Sequence, residues 1–284
     1  MTAGQAAPQG QQLFHTDNEN YFDYERLRKK ARDVVARSSL INRCKQGDLH
    51  AATALHRGFY AYVADFQAAI DQRAGSHGLK RQPLYDKFTR RGTMQIIVNQ
   101  ARTLKLLQQS ELDAIFDAAE RELMHMQQEE RTHWHHWVHD AMALGLSRDV
   151  LVQSEIVPGV ARLIDAARSE NMLEFFAGSL AATEFMAEEL GNQLAYNPHY
   201  GKLFVECRRP EQRGKPYWMI VHMVPHVDGP SHADIVLDFG RAYDESGAPD
   251  AIHLLVERGL ELFGEAADQV ETHFSPVGGR LAAE

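Results

Sequence analysis

Cysteine is scarce in this chain: Cys44 and Cys207 are the only two among 284 residues. Neither sits in a Cys-x-x-Cys pair, which excludes a thiolate zinc site of that type, and two cysteines so far apart read as free thiols in a reducing cytosol. Positive charge is also in short supply. Thirty Lys and Arg stand against 39 Asp and Glu, a formal net charge of -9. An acidic chain without a basic block argues against nucleic acid and anionic membranes as partners. No apolar run approaches the roughly 20 residues a membrane-spanning helix needs. There is no glycine-rich phosphate loop, no internal repeat and no alternation of strand and helix.

What remains is helical patterning. The opening "MTAGQAAPQGQQ" has neither a charged n-region nor an apolar h-region, so residues 1–20 read as a disordered tail and the chain as cytoplasmic. Residues 21–284 read as one all-α domain, a bundle of seven or more helices. "NYFDYERLRKKARDVVARSSLI" forms the first helix. In the next, Asp48 is the expected cap, and Phe59, Tyr62 and Phe66 make an aromatic stripe facing the core or a pocket. Another helix starts near Ser110 and ends at Gly145; Pro158-Gly159 and Asn197-Pro198 mark further breaks. "KLFVEC" and "YWMIVHMV" are the two strand-like runs, each short enough to be a buried helical segment instead. A last long helix covers "PDAIHLLVERGLELFGEAADQVETHF".

Chemistry concentrates in three places. The first is "QQEERTHWHHWVHDAMALGL", residues 127–146. At 100° per residue, His133 and His136 lie about +40° and −20° from Glu129, so the three share a face, with Trp134 and Trp137 expected on a different arc. A carboxylate and imidazoles on one buried stripe are a means of holding a metal between helices; on a solvated face the same pairs add only a few tenths of a kcal/mol. The second is "HMVPHVDGPSH", with His222, His226, Asp228 and His232. Such groups inside an apolar stretch are costly unless paired or ligating a cation; the alternative is a turn in which Asp228 caps the next helix. The third is Glu184, set among Leu180, Ala181 and Ala187 as a buried carboxylate, with Glu188 and Glu189 on the solvated side. Three carboxylates and about three histidines suit two adjacent iron or manganese ions with open positions. Glu-x-x-His motifs matched on two separate helices, as in the ferritin-like bundles, are not found.

The order of these residues resembles the haem-oxygenase-like di-metal oxidases and oxygenases, relatives of the TenA and PqqC proteins. In that superfamily the ligands are a Glu and a His seven apart, a Glu on a later helix, and a His-x3-Asp-x2/3-His group. The resemblance implies Glu129, His136, Glu184, Asp228 and His232 as ligands. Val224 stands four before Asp228, so the first histidine of the last group is His226, two before, or His222, six before. His133 is a further candidate. The resemblance also implies a haem-oxygenase-like helical bundle, two non-haem iron ions (or manganese), and O2-dependent oxidation of a small substrate. Amine N-oxygenation and oxidative C–C cleavage are the reactions implied; amino acids, fatty acids or biosynthetic intermediates are the substrates. Arg57, Tyr60 and Tyr62 are pocket candidates, with Arg57 a carboxylate clamp or a surface ion pair. A homodimer is compatible with the fold. Two other functions stay open. One is a metal-free PqqC- or TenA-like enzyme acting on a small heterocycle; Cys207, in a surface stretch, disfavours its cysteine-nucleophile branch. The other is a non-enzymatic helical binding protein.

Overall fold

The computed structural model describes residues 24–72, 128, 132–171, 173–205, 214–223, 232–233, 236–237 and 249–275, and these are helical with no strand among them. The first helix of the sequence reading is in fact two. In α1 (Tyr24–Arg37), Leu27, Ala31, Val34 and Val35 are buried at helical spacing. Ser38 then leaves helical geometry (ψ 116°), and its hydroxyl accepts from Ile41 N to start α2 (Ser39–Lys45). Gly47, at φ 78°, turns the chain again. Asp48 caps α3 (Leu49–Gln72) as expected: its Oδ1 accepts from the amides of His50 (2.9 Å) and Ala51 (3.2 Å). Arg43 donates to Asp48 and to Glu271 (3.0 Å), tying this corner to the last helix.

The histidine-rich segment is the helix α4 (132–143), and Gly145 at φ 98° follows its end. α5 (Arg148–Val152) and α6 (Pro158–Ala167) follow, the latter with proline at its first position. Residues Glu174–Ala181 are π-helical and lead directly into α7 (Ala182–Leu194). The described parts of both strand-like runs are helices, α8 (Pro198–Val205) and α9 (Tyr217–Met223). Burial, not alternation, explains them: Tyr200, Phe204, Trp218 and Met219 are inward, while His199, Lys202, Val205 and Tyr217 are exposed.

α10 (Pro249–Phe274) is the hub and packs on α1, α3, α6, α7 and the π-helical segment. Two glycines permit its closest approaches. A Cβ at Gly159 would stand 2.7 Å from Ala266 Cα, and one at Gly259 would collide with the Gly178 carbonyl. α7 and α9 also pack tightly. Asp140, fully buried on α4, accepts from the amides of Tyr217 (3.1 Å) and Trp218 (2.9 Å) and so starts α9 against α4. Burial drives the Asp140 carboxyl above the usual range, with His139 and those amides opposing the shift. No helix among the described residues is long and apolar enough to cross a membrane.

Candidate functional site

An apolar cavity of about 60 Å³ lies among α1, α3, α4, α7, α9 and α10. Phe59, Tyr62 and Phe66 form one side, with Phe263 from α10 against them: the Tyr62 and Phe263 rings meet edge-on at 5.4 Å. The aromatic stripe of α3 is therefore core and pocket wall at once. The opposite side carries Trp134, Trp137 and Trp218, the three tryptophans of the chain. Trp137 and Trp218 pack edge-on at 4.8 Å, and Trp137 Nε1 donates to the His56 carbonyl at 3.0 Å.

Few polar groups reach this cavity; His133, Thr183, Glu184 and His222 are among them. Glu184 is 6% exposed, as its small apolar neighbours on the helix predict. His232 Nδ1 stands 3.5 Å from Glu184 Oε2. The His133 and His222 rings meet edge-on with centroids 4.5 Å apart, and Trp218 lies 4.0 Å from the His222 ring. Nδ1 of His222 is 2.7 Å from the Trp218 carbonyl oxygen. A carbonyl only accepts, so Nδ1 carries the proton and Nε2 keeps its lone pair. Burial, then the neighbouring His133, drives His222 well below the usual histidine range, and His232 and His136 act in the same direction.

A second polar chain borders Glu184. Thr183 Oγ1 donates to the Ser179 carbonyl (2.8 Å), so the Tyr62 hydroxyl, 2.5 Å away, donates to Thr183. Burial raises the Tyr62 pKa, which keeps the phenol protonated.

The described residues thus gather Glu184, His133, His222 and His232. His136 is half-buried beside Tyr217 (6.1 Å between rings) and near His222, but it does not line the cavity. Glu129, His226 and Asp228 lie outside the described residues, as do Cys207 and the N-terminal tail. Among the described residues, no group of three or more His, Cys, Asp or Glu side chains is arranged to hold a metal ion.

Four readings of the sequence need correction. Trp134 and Trp137 share the cavity with His133, because a four-residue step turns only about 40° and brings Trp137 onto the same arc. Arg57 donates to Ser154 Oγ (2.9 Å) and covers the Phe274 ring (4.9 Å), so it is a packing residue and not a clamp in this cavity. Tyr60 is half-buried against the core without lining the cavity. Glu189 is buried, not solvated, and accepts from Gln193 Nε2 at 2.8 Å; burial raises its pKa. Trp218 and Thr183 are cavity residues that no motif announced. Only the burial demanded by a tryptophan in an apolar run, "YWMIV", hinted at the first.

No family model and no curated protein matches the chain. Among solved structures, it is similar to a TenA homolog from Pseudomonas syringae pv. tomato, with a TM-score of 0.61 over 96% of this chain and 100% of that one, at 14% sequence identity. The fold is therefore the all-α TenA-like bundle that the residue order suggested.

Proposed function

We propose that the protein is a non-haem di-metal oxidase or oxygenase that uses O2 to oxidise a small substrate. One observation carries this reading: a buried carboxylate and two imidazoles, Glu184 with His133 and His222, line one apolar cavity, and a third imidazole, His232, stands 3.5 Å from Glu184. Burying such groups is costly unless they are paired or ligate a cation. Their nitrogen and oxygen donors suit iron or manganese. The described donors fit the group in chemistry and fall short of a complete set. The completing ligands are then Glu129, His136 and Asp228, with His226 the alternative to His222; His136 already stands near His222.

When bound, two iron ions would supply the activation of O2 needed for amine N-oxygenation or oxidative C–C cleavage. The chain's own share is orientation and exclusion of water. The Trp218 carbonyl fixes the His222 tautomer and aims its Nε2 lone pair away from the helix backbone. Glu184 brings a carboxylate to a mostly apolar wall. Trp134, Trp137 and Trp218 keep water from that wall, which strengthens every charge interaction inside. Tyr62, already donating to Thr183, is held as a neutral phenol beside the carboxylate.

Anaerobic iron loading followed by metal analysis and O2 mixing tests the proposal. Iron uptake with an O2-dependent absorbance transient is expected; absence of both removes it. A second reading, a metal-free enzyme acting on a small heterocycle, is favoured by the flat aromatic walls and by the TenA homolog that shares the fold. Heterocycle turnover by rigorously iron-free protein would support it instead.

A further inference from the structure

Apart from Glu184, the described wall of the cavity carries no carboxylate, lysine or arginine. Beside the few polar groups already named, the lining is hydrocarbon and aromatic surface such as Leu55, Phe59, Phe66, Leu190 and Phe263. Arg57, the one candidate for an anion clamp, is held at Ser154 and Phe274. A free amino acid placed here would have to desolvate an ammonium and a carboxylate against mostly apolar walls, and the described wall offers the carboxylate no lysine or arginine. A hydrocarbon group gains from the same walls.

We infer that the cavity takes the hydrocarbon part of the substrate, a chain or ring without charge, and that free amino acids are not substrates. This deepens the proposed oxidase reading and rests on it only in placing the oxidised position beside Glu184. The chain reports on the cavity directly, because its three tryptophans all line it.

The test is a tryptophan-fluorescence titration of the full chain with 1-alkanols from butanol to octanol, and with leucine, before and after iron loading. Saturable binding is expected, tightening about three- to four-fold per added methylene, with leucine silent over the same range. Binding that does not saturate, shows no dependence on chain length, or is matched by leucine overturns the inference. Ala267→Leu, which fills the cavity from α10, should weaken octanol binding about ten-fold or more while the melting transition stays cooperative. Should that variant fail to fold, the chain-length series on the unmodified protein still decides. The titration before iron loading needs no metal, so a failure of iron uptake would remove the oxidase reading and leave the alkanol result standing.

Discussion

Nδ1 of His222 donates to the Trp218 carbonyl at 2.7 Å, one helical turn back along α9. This bond selects one tautomer and leaves Nε2 as the ring's only lone pair. Of the two histidines that the sequence left open, His222 is therefore the one already prepared as a ligand. His222→Ala is expected to lower iron affinity about ten-fold or more, and His226→Ala to change it little. Titration of each variant with iron under anaerobic conditions separates them; the reverse order would assign the position to His226.

Glu184→Gln keeps the shape of the side chain and removes its charge. Burial of a carboxylate beside so much apolar surface is unfavourable in itself. The variant should therefore lose iron binding while its stability in urea unfolding holds or rises by up to about 1 kcal/mol. A variant that binds iron normally but melts early would make Glu184 a structural partner of His232 alone.

α9 can carry His222 toward α7 only because residue 191 is glycine. A Cβ there would stand 2.7 Å from both the Met219 carbonyl oxygen and the Met223 amide nitrogen. Gly191→Ala must push the two helices apart. A loss of about 1–3 kcal/mol in urea unfolding is expected, with weaker iron binding as His222 moves away from Glu184. Unchanged stability would show that the crossing yields without cost.

His56 is fully buried, its Nε2 3.1 Å from the Tyr200 hydroxyl, and its pKa is pushed down to about 3 by burial. Among the described residues Tyr200 is the titratable group hydrogen-bonded to the His56 ring, and burial raises its pKa, so it stays neutral. The unfolded chain binds the His56 proton near pH 6.5 and the folded chain does not, so stability is complete above that pH and falls as pH drops toward 3. Between pH 7 and pH 5 this one group should cost about 2 kcal/mol. His56→Leu should flatten that part of the pH dependence in urea unfolding. An identical slope in the variant would place the effect at other histidines.

The fold was legible where punctuation is local. Asp48, Gly145, Pro158 and Pro198 each mark a helix end or start that the structure keeps. The break at Ser38 was not, because its cap bond to Ile41 N sits inside a continuous helical pattern. The π-helical segment Glu174–Ala181 was equally hidden; Gly178 within it meets Gly259, a contact between segments far apart in the chain. At the site, the burial of Glu184 could be read from its neighbours. The burial of Glu189 could not, because it is set by elements packed against α7, and its polar neighbour Gln193 is four residues on. The choice of His133 over His136 for the cavity wall likewise depends on which side of α4 faces α9, a rotation that periodicity leaves free.

The most direct measurement is the iron content of the protein after anaerobic loading and desalting, followed by rapid mixing with O2. A di-metal oxidase built on Glu184, His222 and His232 should retain about two irons per chain and show an absorbance transient that requires O2. Protein that retains no iron and shows no transient would contradict it.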